Sequence, residues 1–183
     1  MTGGVDLHNN PMTGTTDAIA LYDSAIDRLI RFHPDVVDLA TQLTAEEPVP
    51  MASALSAYLN LMSTDANDLA SARGSWQHLD EASTNERERA HANAIGAWLD
   101  GDWQGASIQL DELLSRWPTD VLALMLGHQL DFFLGDAANL RDRPMRALRE
   151  FNDDDAHIDF VRGMASFGLE EAGHYGQALD VGL

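Results

Sequence analysis

The chain has 183 residues, enough for one domain with its own core, and no cysteine, which excludes disulfides, thiolate metal ligands and cysteine nucleophiles. Thirty Asp and Glu face eleven basic residues, all arginine, for a formal charge of −19; such a surface repels phosphate backbones, and without lysine no Schiff base can form. No apolar run approaches the ~18 residues that cross a bilayer, and the opening "MTGGVDLHNNPMTGTTD" has no basic stretch followed by an apolar one. The expectation is a cytoplasmic protein with neither nucleic-acid nor membrane partners.

Residues 1–15, rich in Gly, Thr and Asn and without periodicity, read as a flexible segment ahead of an α-helical domain over 16–183. Leu21, Tyr22, Ala25, Ile26, Leu29 and Ile30 then form an apolar stripe at helical spacing, closed by His33, Pro34 and Asp35. A shorter helix carries Val36, Val37, Leu39, Ala40 and Leu43 and stops at "EEPVP". Pro50 suits the first turn of a third helix bearing Leu55, Tyr58, Leu59 and Met62. Leu69, Ala72, Trp76 and Leu79 mark a fourth. Nothing alternates with the period of a strand, so the class is all-α.

The second half repeats. Ser83 and Glu86 have capping-box spacing, and the helix they open runs to Gly101. A partner helix follows with Trp103, Ala106, Leu110 and Leu113, stopped by Pro118. Gly135 lies 34 residues after Gly101 and Gly173 lies 38 after Gly135; each ends an apolar helix, and a period near 34 is the tetratricopeptide one. "NDDDAHID", Asn152 to Asp159, accounts for the longer interval and reads as a solvated insertion. Pro144 is expected to break or restart the helix after Gly135, with Asp142 as a new cap.

Three runs, "TNERERAHANAIGAWLDGDWQGA", "DVLALMLGHQLDFFLGDAANLRDR" and "GMASFGLEEAGHYGQALD", together resemble the tetratricopeptide repeat protein 38 family from roughly Ala18 onward. The resemblance implies an α-helical repeat protein, usually much longer than this chain. Independently, "YGQALDVGL" leaves Leu179, Val181 and Leu183 without a following element, so a fragment, or self-association through that end, is expected. The architecture expected is antiparallel helical hairpins stacked into a right-handed superhelix: irregular pairs over 16–82 and tetratricopeptide-like repeats over 83–183, the last incomplete.

In such a solenoid the first helix of each repeat lines the concave side. Counting back from the glycines gives a groove of Glu88, His91, Ile95 and Trp98, then Met125, Gln129 and Phe132, then Gly163, Phe167 and Glu170. That surface suits an apolar helix or peptide and lacks the cations of a carboxylate clamp. His128 and Asp131, three apart beside Gly127, are expected on the opposite face as a buried polar network with Arg141 and Arg143. "RERAH", Arg87 to His91, reads as a helix surface laced with ion pairs. No compact metal signature, phosphate loop or nucleophile elbow occurs, so no cofactor or metal is expected. The function these residues point to is a non-catalytic scaffold for a protein or peptide partner. The competing expectation is part of a helical-repeat enzyme completed by a missing C-terminal region, drawing on His91, His128, Asp131 and Glu170.

Overall fold

The computed structural model describes residues 3–46, 49–82 and 85–182 and divides into two compact units, Met1–Gln109 and Leu110–Leu183. Ten α-helices account for most of the described residues. Among those residues no helix is long and apolar enough to cross a membrane. Ser83 of the expected capping box, Pro48 and Leu183 lie outside the described residues.

The first unit opens with a departure from the expectation. Where a flexible lead-in was read, β1 (Gly3–Val5) pairs antiparallel with β2 (Pro11–Thr13), Gly4 opposite Met12. The loop between them closes on Asp6, whose Oδ1 accepts from the amides of His8 and Asn10 at 2.9 and 3.0 Å. Asn9 takes a positive φ of 62°, which asparagine tolerates. Three-residue strands are too short to show a period, which is why spacing did not reveal them. Met12 is buried, and the hairpin packs on α1 (Thr16–Ile30), α3 (Pro50–Met62) and α5 (Glu86–Leu99). With α2 (Val36–Glu46) and α4 (Leu69–Ala82), these helices enclose a core of Tyr22, Leu43, Leu55, Tyr58, Leu79 and Ile95. Asn85 opens α5 through a capping box with Glu88.

α6 (Trp103–Arg116) runs across the boundary. The second unit continues with α7 (Val121–Leu134), α8 (Ala137–Ala147), α9 (Ile158–Glu171) and α10 (Tyr175–Gly182). Successive helices pack as neighbours from α7 to α10. Asp120 and Asp136 cap α7 and α8 through Oδ1, accepting from Ala123 and Asn139 at 2.9 and 3.0 Å. Pro144 does not break its helix, contrary to expectation: α8 runs through it and tightens into a 3-10 turn at Leu148–Glu150. The amide that Pro144 lacks would have gone to the carbonyl of Leu140, and that carbonyl instead lies against Gly168 of α9.

Three helix ends close identically. Gly101, Gly135 and Gly173 have φ of 80°, 69° and 80°. Each donates to the carbonyl three residues back, and the residue after it donates to the carbonyl five back: Asp102 to Ala97, Asp136 to Asp131 and His174 to Leu169, at 3.0, 2.9 and 2.8 Å. This double closure consumes carbonyls that a helix end otherwise leaves unpaired. α1 ends the same way without a glycine, Phe32 standing at φ 56° and His33 donating to Arg28.

Gly163, inside α9, has a different role. A Cβ built there meets no atom within 4 Å, and its φ is not in the left-handed region. Gly163→Ala is therefore expected to stabilise the protein by about 0.5–1 kcal/mol through helix propensity alone, read as a higher denaturant midpoint.

Candidate functional site

Four of the expected groove residues belong to the first unit, and all four are interior. Glu88 is held by the hairpin: its Oε1 accepts from the Thr13 amide at 2.7 Å and its Oε2 from the Thr13 hydroxyl at 3.2 Å. His91 Nδ1 lies 3.1 Å from the Tyr58 hydroxyl, and Trp98 packs against Tyr58 and Trp103, with ring centroids 6.4 and 6.2 Å apart. Glu88, His91 and Ile95 are buried outright and Trp98 nearly so. The groove reading is corrected at these positions, because β2 and α3 cover the α5 face that was expected to meet a partner.

"RERAH" is corrected for the same reason. Arg87 donates to Asp6 Oδ2 at 2.8 Å and to the carbonyl of Pro11 at 3.2 Å, and both ends of the ion pair are buried; only Arg89 keeps to the surface, beside Asp80. Burial pushes the nearby Asp23 carboxyl above its usual range, with Asp6 adding to the shift, while the Leu7 amide and Arg87 oppose it. One signal was available in the sequence: Asp6, Asn9, Asn10 and Pro11 cluster turn-forming residues between Val5 and Met12.

In the second unit the opposite is found. Phe132 on α7 and Phe167 on α9 stand 5.8 Å apart between ring centroids, and both are open, at 47% and 37% exposure. Phe133 joins Phe132 at 6.0 Å, and His128 joins Phe167 at 5.8 Å. Gln129 is half-buried and Met125 buried on α7; Glu170 is exposed on α9. Met125, Gln129 and Phe132, and Gly163, Phe167 and Glu170, fall at the three- and four-residue spacing that keeps side chains on one helix face. Since side chains lean toward the helix N-terminus, the Phe167 ring inclines toward the open position above Gly163.

The polar network is half as expected. Asp131, fully buried, takes two bonds from Arg143 of α8, at 2.8 Å from Nε and 3.0 Å from Nη2; Arg143 also reaches Asp111 at 3.2 Å. Gly127 makes the room: a methyl there would stand 2.8 Å from Arg143 Nε. His128 is corrected, since its imidazole turns away toward α9 and Nε2 donates to the carbonyl of Met164 at 3.2 Å. One helical step of about 100° separates Gly127 from its neighbour and sends His128 to the aromatic side. Arg141 is corrected as well, lying at the surface with Asp142 and His174, because α8 continues unbroken and carries it outward. The Asp142 hydrogen bond and charge raise the Arg141 pKa, and the same bond holds the Asp142 carboxyl below its usual range.

Burial lowers the pKa of His128 from its ordinary value; the Met164 bond and Asp131 oppose the shift and Arg143 adds to it. Well above about pH 6.5 the imidazole is neutral in both folded and unfolded chains and pH acts on neither through it. Below that, the unfolded chain takes up the proton first, so stability falls with pH until the folded pKa is passed and then levels off. Denaturation of wild type and His128→Gln between pH 7.5 and 5 is expected to show a shallower acid loss in the variant. Equal slopes would refute it.

A cleft of about 510 Å³ in the first unit is lined by Thr44, Val49, Ser53, Ser56, Ser75, His78, Glu81 and Ala82. His78 Nδ1 donates to the Gly74 carbonyl at 2.8 Å. Its lining mixes the hydroxyls of Thr44, Ser53, Ser56 and Ser75 with the apolar Val49 and Ala82, and none of these residues belongs to the expected groove. Among the described residues no group of three or more His, Asp or Glu is placed to hold a metal ion. Three of the four carboxylates of "NDDDAHID" are engaged nearby: Asp155 accepts from the Asn152 amide, and Asp153 and Asp159 pair with Arg162 of α9. No family model matches the chain, and no solved structure matches it.

Proposed function

We propose that the chain is a non-catalytic interaction scaffold of tetratricopeptide-like helical hairpins, stacked into a right-handed superhelix, and that the α7 and α9 face of its second unit receives a peptide or helix from a protein partner. The observation that carries this reading is the pair of exposed rings, Phe132 and Phe167, in contact with each other across α7 and α9, with Phe133 and the half-buried His128 extending the aromatic surface. The identical closures at Gly101, Gly135 and Gly173 support the repeat reading, as does their spacing of 34 and 38 residues. Residues suited to acid–base work favour it too: Asp131 and His91 are buried and held by neighbouring side chains.

Selection of short random peptides against the protein tests it, with parallel selection against the Phe132→Ala/Phe167→Ala double variant. Those rings are exposed, so the variant is expected to keep its fold. The expected result is an enriched set that binds wild type and not the double variant. Enrichment that ignores the two substitutions would overturn the reading.

A further inference from the structure

The occupant of the α7 and α9 face can be narrowed by charge and by backbone chemistry, given the reading of that face as a docking surface. The second unit carries fourteen side-chain carboxylates against six arginines. Five of the six arginines are already engaged: Arg141 with Asp142, Arg143 with Asp131 and Asp111, Arg146 with Asp111, Arg162 with Asp153 and Asp159, and Arg116 stacked 4.6 Å over Trp117. Glu170 and Glu171, three and four residues beyond Phe167, are exposed and carry no ion pair with any described residue. The aromatic patch is thus edged by the carboxylates of Glu170 and Glu171, which no ion pair among the described residues neutralises.

The patch is also built from helices, whose backbone groups are satisfied internally. An extended peptide laid across phenyl rings must keep its amides and carbonyls facing water, whereas a helix arrives with them paired and can press a whole apolar face onto the rings. The gap above Gly163, between rows spaced one turn apart, accepts a ridge of side chains from such a helix.

We infer that the segment bound here is a cationic amphipathic helix, its apolar side chains seated on Phe132 and Phe167 and its arginine or lysine side chains reaching Glu170 and Glu171. Cations next to phenyl faces add an attraction of their own. A face of opposite charge would instead meet the surplus carboxylates of the unit and be driven off.

The test uses fluorescein-labelled amphipathic helices of about 18 residues, sharing one leucine face and carrying lysine and arginine, glutamine, or glutamate on the other, with anisotropy as readout. The cationic probe is expected to bind at least about tenfold more tightly than the glutamine one, and to lose about tenfold on Phe132→Ala/Phe167→Ala. Any long side chain at position 163 fills the gap, so Gly163→Arg and Gly163→Glu are both expected to weaken it, the arginine about fivefold more than the glutamate because it adds a like charge. If the glutamine or glutamate probe binds as well and still requires the two rings, the cationic assignment falls and the docking face stands. If the cationic probe binds equally to the double variant, its attraction is to acidic surface at large and the assignment is overturned. If no probe binds, it is overturned too, and the peptide selection then judges the face separately.

Discussion

Arg143→Met is expected to cost about 3–5 kcal/mol of folding stability, the range for removing one partner of a buried ion pair. The two partners are 1% and 0% exposed, so the carboxylate of Asp131 would lose both of its Arg143 bonds without gaining access to water. The loss lies more in an interior charge deprived of its guanidinium than in the pair itself. Asp131→Leu/Arg143→Met, which removes both charges, is therefore expected to recover most of the stability in denaturant titrations. A single variant as stable as the double would show that Asp131 finds another partner, and the network would lose its assigned role.

Gly168→Ala is expected to cost about 3 kcal/mol or more, the upper range for forcing an extra methyl into a packed interior. A Cβ there would fall 2.7 Å from Arg141 Cα and run into the Leu140 carbonyl, both of them backbone. Neither can swing aside as a side chain would. The same substitution five residues earlier, at Gly163, is expected to stabilise, so one helix supplies both signs. Similar midpoints for the two variants would mean that α8 and α9 lie farther apart than described.

The helical class and the placing of helices after Gly101 were legible, because apolar spacing and glycine turns are local signals. Phe132 and Phe167 both fall by count on the first helices of their hairpins, but at different steps, three and six residues before Gly135 and Gly173, so the contact between their rings was not legible by counting. What failed was everything that depended on one element covering another. His91 and Trp98 occupy the positions of Met125 and Phe132 by count, and it is β2 and α3, packed on that face of α5, that make them interior. The helix end at Phe32 escaped notice for want of a glycine, though its hydrogen bonds match those at Gly101. Pro144 misled because proline is a strong local stop signal, whereas here its missing amide frees a carbonyl against which Gly168 of α9 packs. His128 and Asp131 share a helix face by spacing, yet divide between α9 and α8 according to which neighbour each can reach.

The most direct trial of the docking face is residue-resolved amide shift mapping by nuclear magnetic resonance, with any peptide that the selection yields. Perturbations are predicted at Gln129–Leu134 and Gly163–Glu171, leaving the hairpin at Gly3–Thr13 undisturbed. Perturbations confined to Asp153–Asp155, or to helices of the first unit, would contradict the account.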